Sequence, residues 1–275
     1  MRTEELLDPA PVAALAALLD DGLPAPRPGE ELPPLWHWVA LPRWPVSSEL
    51  GSDGHPARGA FLPETGLPRR MFAGGEVVFH RPLRVGGTVT RESTVESVTP
   101  KEGRSGKLVV VVVRTRLSDV DGLCVEERQD LIYRERGTPT EPGPAASDPA
   151  GAPLRRAGQG VWDFATDPTL LMRFSAATAN PHRIHYDWPY ATGVEGYPGL
   201  VVHGPLMTLA MAEVLRLDSP GDRVRRVTHR NRAPLFCGEP ARVTARAGEV
   251  ELTGPDGRVR TTLAVELHEE GTPHA

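Results

Sequence analysis

Residues 205–217 read PLMTLAMAEVLRL, with Pro at the head and apolar side chains on nearly every face. Pro fits the first helical position, where its missing N–H would have had no intrahelical partner, and a helix apolar all round must be enclosed by other structure. The segment predicts a buried helix. Upstream, Asp167-Pro168 has the form of an N-cap followed by the first helical residue, and Leu170, Leu171, Phe174 and Ala177 recur at helical spacing, which predicts a short amphipathic helix ending near Ala179. Downstream, 241–252 and 258–268 are β-rich runs flanking the turn Gly254-Pro255-Asp256-Gly257, so an antiparallel sheet is expected around the helix.

The same plan occurs earlier in the chain. Residues 107–117 (KLVVVVVRTRL) and 124–134 (CVEERQDLIYR) form a second predicted hairpin around Asp119 to Gly122. Pro82-Leu83-Arg84-Val85-Gly86 answers Pro234-Leu235-Phe236-Cys237-Gly238, each after a His-Arg pair (His80-Arg81, His229-Arg230), and Gly54-His55-Pro56 stands about as far before the first as His203-Gly204-Pro205 before the second. The segment then matching the buried helix, ARGAFLPETGLPRR at 57–70, carries two prolines and two glycines and cannot hold one. A sheet wrapped around a helix in one half only leaves a space in the other, with Trp36, Trp38, Trp44, Phe61, Met71 and Phe72 as candidate walls. Gly74-Gly75 and Gly86-Gly87 read as strand-end turns. The Pro- and Gly-rich run 137–153 marks a linker, placing one half at 1–136, the linker at 137–158 and the second half at 159–275.

The 275 residues are 39% hydrophobic with a net charge of −5, enough for a substantial core and of the wrong sign for a nucleic-acid or anionic-membrane partner. The first twenty residues are neither a basic leader nor a membrane span, and two distant cysteines make no disulfide framework, so a cytoplasmic protein is expected.

Chemistry concentrates in Asn180-Pro181-His182-Arg183-Ile184-His185-Tyr186-Asp187, where two imidazoles and an amide follow the shorter helix. Asp187 before Trp188-Pro189 reads as another helix cap. The runs FSAATANPHRIHYD (174–187), EGYPGLVVHGPL (195–206) and HRNRAPLFCGEP (229–240), with an upstream block around 51–87, resemble the MaoC-like dehydratases, or R-specific enoyl-CoA hydratases, in their double-hot-dog branch with a dehydratase-like N-terminal half. The resemblance implies an α+β double hot-dog: two antiparallel sheets forming a pseudo-dimer, with a full central helix in the C-terminal half only. It also implies reversible hydration of a 2,3-enoyl-thioester, with a short or branched dicarboxylic acyl-CoA such as mesaconyl-C4-CoA as the substrate type.

Against the family motif Asp-x-Asn-Pro-x-His-x-Asp, His185 falls on the His and Asp187 on the last Asp, while Asn180 replaces the first Asp and His182 and Arg183 replace Asn-Pro. An amide has no proton to exchange at neutral pH, which argues against a two-base mechanism; His185 is the expected base for the attacking water, and Asn180 is expected to orient that water. Gly204, at the tip of the buried helix, is the expected donor to the thioester oxygen, through a backbone N–H in the positive field of the helix. His182 either meets the thioester or holds the loop, and His203 supports Gly204; with Arg230 and Arg232, alternating along a strand toward the carrier phosphates, they complete the substrate-binding candidates.

His182 and His185 with His203 or Asp187 also suggest a metal, but no HExxH-type helix surrounds them and the reaction needs no Lewis acid, so neither metal nor cofactor is expected. The expected partner is an acyl-CoA or acyl-carrier thioester, and a homodimer is allowed. A hot-dog thioesterase and an inactive acyl-CoA-binding module are the alternative readings.

Overall fold

The computed structural model describes residues 1–59, 61–103, 106–135, 139–143 and 151–269. In the first half run β1 (Arg2–Leu6), α1 (Pro9–Leu19), α2 (His37–Ala40), β2 (Arg69–Phe79), β3 (Thr88–Gly103), β4 (Gly106–Asp119) and β5 (Gly122–Arg134). In the second run β6 (Leu154–Gly158), β7 (Val161–Phe164), α3 (Pro168–Ala177), α4 (Gly204–Asp218), β8 (Val224–Asn231), β9 (Ala241–Arg246), β10 (Glu249–Thr253) and β11 (Val259–Leu267).

The strand order β1-β3-β4-β5-β2-β8-β11-β10-β9-β7-β6 is a mirrored repeat about its centre, apart from the extra edge strand β6. Both half-sheets are antiparallel, and they meet edge to edge where β2 pairs with β8, from Gly74 opposite Arg230 to Val78 opposite Arg226. The two sheets expected side by side join, among the described residues, into one continuous eleven-stranded sheet. Gly74 and Gly75 lie inside β2 beside a bulge, rather than at a strand end as expected. A Cβ at Gly74 would fall 2.4 Å from the His229 carbonyl oxygen and one at Gly75 2.0 Å from that of Arg128, so neighbouring backbones close on both positions.

The halves begin alike. The Asp8 side chain accepts from Ala10 N at the start of α1, and Asp167 accepts from Leu170 N at the start of α3, each Asp followed by Pro. The Pro-Leu-x-x-Gly pair is also structural: Gly86 and Gly238 have φ of 82° and 83°. Leu32 N donates to Leu83 O just as Val202 N donates to Leu235 O. This ladder corrects the expected alignment, because the segment leading into α2, and not Gly54-His55-Pro56, occupies the place where α4 begins. The first half's central helix is a single turn, His37–Ala40, after which the chain runs through Pro42 and Pro45. Residues 57–59 and 61–68 form neither helix nor strand, as their prolines and glycines require.

Two further expectations change. The run 241–252 is two strands, because Gly248 at φ 75° lets the chain turn between β9 and β10. The predicted linker 137–158 overlaps β6, which pairs with β7, while its residues 137, 138 and 144–150 lie outside the described residues.

Helix α4 spans the predicted segment and buries Leu206, Met207, Leu209, Ala210, Met211 and Val214 in one core with Val227, Val243, Val250, Leu252 and Leu263 of the sheet. At about 1.5–3 kcal/mol for each large aliphatic side chain, this packing fixes the helix axis and hence the position of its tip. A second cluster, Val111, Val113, Leu131 and Tyr133, lies under the first half where a long helix is missing. No helix is long and apolar enough to cross a membrane among the described residues.

Candidate active site

A cavity of about 770 Å³ fills the space left by the shortened helix. Val113, Leu131, Phe61, Met71, Phe72 and Trp38 line it from the first half, and Asn180, His182, His185 and Gly204 from the second. Of the other expected wall residues, Trp36 is 1% exposed in the core, with its indole N–H on Glu213, and Trp44 is 72% exposed.

The loop that carries Asn180, His182 and His185 starts where α3 ends. Ala179 adopts φ 50°, reversing the chain, and Asn180 Oδ1 then accepts from His182 N at 3.2 Å. A 3-10 turn over Arg183–His185 follows, tied by Arg183 to Asp187 at 2.7 Å. Asp187 also accepts from Tyr190 N at 3.1 Å, which makes it the expected cap of the helical start at Trp188 and Pro189 that continues as a π-helical turn over Tyr190–Val194. From the other half, Asp53 O accepts from Arg183 N at 3.0 Å, and Gly54 packs so closely that a Cβ would lie 1.9 Å from Pro181 O. The motif Gly54-His55-Pro56 therefore serves as a clamp on the loop.

His185 is buried, and its Nδ1–H donates to Val201 O at 2.6 Å. That bond fixes the tautomer and leaves Nε2 as the lone-pair nitrogen. Burial lowers its pKa to about 4, so the ring is neutral across the physiological range. His203 stacks against it, ring centroids 3.6 Å apart, and meets Ser175 Oγ through Nε2 at 2.8 Å. Burial, followed by the neighbouring imidazoles, depresses the pKa of His203 as well. On the other side His182 stands edge-on to His185 at 5.4 Å and lies 4.0 Å from the ring of His55, and burial is again the main cause of the lowered pKa of His182 and His55.

Gly204 is the first residue of α4, where helix geometry leaves the N–H without an intrahelical partner. A side chain there would collide with Asn231, whose Nδ2 would be 2.6 Å from a Cβ, and with Phe72 at 3.2 Å. Asn231 is held in turn by Phe72 O and the Thr261 hydroxyl, at 2.9 and 2.8 Å. This frame was not legible in the sequence.

Of the expected site residues, Asn180, His182, His185, Gly204 and Arg232 line one cavity, and two do not. His203 is 0% exposed behind His185, so it backs the imidazole rather than touching a ligand. Arg230 is exposed and is not part of the lining, because β8 ends at Asn231 and the Arg232 N–H turns to Arg260 O; the alternation expected to put both arginines on one side stops there. Two arginines of the first-half repeat, Arg81 and Arg84, are engaged by Asp119 and Asp121 and by Glu31. The residue passed over as a site candidate was His55, which the sequence offered as a His-Pro landmark; Arg70, one of several arginines that the sequence offers to the carrier phosphates, lines the cavity as well.

Asp53, His55 and His182 bring ligand atoms within 4.8 Å of one another, a different set from the one considered in the sequence. The positive charge of Arg70 acts on both imidazoles, which works against a cation there.

A hot-dog sheet with a histidine and an amide at the head of its central helix defines a class, the hydro-lyases that add water to acyl thioesters or remove it. The chain belongs to the hydroxyacyl-thioester dehydratase type 2 family, whose pattern its residues 35–237 match. It is 45% identical, over 97% of its length and 95% of the relative's, to the mesaconyl-C(4)-CoA hydratase of Chloroflexus aurantiacus. It is 28% identical to the mitochondrial hydroxyacyl-thioester dehydratase type 2 of Schizosaccharomyces pombe, over 87% of this chain and 88% of that one. Among solved structures, HtdX of Mycobacterium tuberculosis superposes with a TM-score of 0.66 at 21% identity, covering 96% of this chain and 98% of that one. A double-hotdog protein of the same organism gives a TM-score of 0.54 at 17% identity, with coverages of 97% and 94%.

Proposed function

We propose that the protein reversibly hydrates the 2,3 double bond of a short or branched dicarboxylic enoyl-CoA of the mesaconyl-C4 type, with His185 moving the proton. The observation that carries this reading is a neutral, buried His185 whose Nδ1 is committed to Val201 O, in the same cavity as Asn180 and Gly204. Water bound between Asn180 and His185 gives a proton to Nε2 as its oxygen bonds to C3. The π electrons of the 2,3 bond move toward the thioester oxygen, where the N–H of Gly204 and the positive end of α4 stabilise the enolate. The new imidazolium then protonates C2, which closes the proton balance with one base. Imidazolium is costly in this buried pocket, and that cost drives the proton on to carbon. Arg232 and Arg134 on the cavity lining suit the phosphates of the carrier.

Incubation with mesaconyl-C4-CoA, beside crotonyl- and itaconyl-CoA, should show loss of the conjugated enoyl-thioester absorbance without release of free thiol. Thiol release at the same rate means a thioesterase, and saturable binding without turnover means an inactive module.

A further inference from the structure

The cavity carries a cation that the proposed mechanism does not use. Arg70 lies on β2 directly opposite Tyr133 of β5, just as Phe72 lies opposite Leu131. Residues two apart on a strand share a face and stand about 7 Å apart. Arg70 therefore projects into the cavity beside Phe72, the ring that packs on Gly204, and both line it. It is half-buried, and its strand partner Tyr133, followed by Asp53, favours its charge. Arg69 is paired with Glu195 at 3.0 Å and Arg91 with Glu5 at 2.8 Å, whereas no ion pair to Arg70 occurs among the described residues. The acid that acts on it, Asp53, is already engaged by the ring and backbone N–H of His55. Arg58 adds a second positive charge from above the Tyr133 ring, 5.0 Å from its centroid, and is anchored by donating to Leu67 O and Pro68 O. Burial is the largest influence on Arg70 and disfavours its charge, and the groups that oppose it, Tyr133 and then Asp53, do not form an ion pair with it among the described residues.

The geometry points to Arg70 as a carboxylate-binding residue that reads the free acid group at the far end of the acyl chain, beside His55 and His182. The ligand class is a dicarboxylic monothioester. This rests on the reading of the cavity as an acyl-thioester site and adds the residue that tells a dicarboxylic acyl group from a neutral one of the same length. Arginine suits the task because its fixed fork of donors matches a carboxylate.

The test uses saturated thioesters, which cannot be hydrated, so that binding is measured whether or not the reaction is the one proposed. Calorimetry with succinyl-CoA and butyryl-CoA should show wild type preferring succinyl-CoA, and Arg70→Gln should reduce that preference by about 30-fold or more, the lower range for removing one partner of a buried charge pair. Arg70→Lys should keep part of it. Equal affinity of wild type for the two thioesters overturns the assignment, and so does a Gln variant that weakens both alike. The wild-type comparison stands even if the Gln variant does not fold. Retained succinyl-CoA preference without turnover of any enoyl-CoA would preserve the carboxylate site while removing the hydratase reading.

Discussion

Replacing Gly204 by alanine tests the helix tip with a single carbon. Gly204 does not have a positive φ, so alanine costs nothing in backbone conformation and the effect is steric. The added Cβ would lie 2.6 Å from Asn231 Nδ2, and ordinary contact begins near 3.4 Å, so the amide must retreat by about 0.8 Å. Such a retreat stretches the bonds of Asn231 to Phe72 O and Thr261, now 2.9 and 2.8 Å, beyond hydrogen-bonding range. Two lost bonds at about 1 kcal/mol each amount to about 2 kcal/mol, or a fall of roughly 4–8 °C in Tm for a chain of this size. If the chain shifts at α4 instead of at Asn231, the Gly204 N–H swings away from the thioester oxygen, and loss of one such donor costs about 100- to 1000-fold in kcat. Thermal melting and the enoyl-thioester absorbance assay read the two quantities separately. Turnover within about threefold of wild type, in a protein that melts at the wild-type temperature, would refute both the packing argument and the role given to the N–H. Asn231→Ala in the same background removes the colliding atom and should recover part of the rate.

His185→Ala should lower kcat by about 100- to 10,000-fold with the fold intact, and a smaller loss would remove the imidazole from the proton path. Acid should unfold the enzyme before it titrates its base. For a histidine whose folded pKa is depressed, stability is complete above its unfolded pKa and is lost as pH falls below it. With folded values of about 4, His185 and His229 should each cost about 2 kcal/mol by pH 5, with His55, His182 and His203 adding to the loss. Circular dichroism and activity should therefore fail together below about pH 6, and activity lost while the fold persists at pH 5 would contradict this. Glu213 has the opposite sign. Burial raises its carboxyl to about 7, so its contribution of about 2 kcal/mol is present near pH 5 and is lost as pH rises through that value. Glu213→Gln should remove this alkaline loss, and an unchanged pH–stability slope between 6 and 8 would show that Glu213 is ionised throughout.

What could be read from sequence was governed by the range of the interactions involved. The Asp167-Pro168 cap, the amphipathic α3, the enclosed α4 and the hairpin turn at Asp119 to Gly122 depend on neighbours a few residues away, and each forms where its local chemistry predicts. The errors fall where partners are distant. Gly74 and Gly75 look like turn glycines until the carbonyls of His229 and Arg128 are seen closing on them from two other strands. Gly54-His55-Pro56 resembles a copy of His203-Gly204-Pro205 in spacing, yet the ladder bond from Leu32 to Leu83 assigns the true counterpart to the approach to α2. This error and the site are connected. With the first half's central helix reduced to one turn, the chain that would have filled the core is free to carry residues 51–57 across to the second half, where Gly54 meets Pro181 and His55 meets His182. The lost helix thus accounts for two features, the cavity and the clamp on the loop beside it. A single half lacks one or the other: the second holds Asn180, His185 and Gly204 but not the wall that bears Arg70 and Phe72, and the first has that wall while its own helix-tip imidazole, His37, faces Glu127. The proposed mechanism draws on both halves across the β2–β8 seam, so Gly74→Ala or Gly75→Ala should lower the rate of enoyl-thioester absorbance loss although neither residue lines the cavity, and an unchanged rate would sever the seam from the site.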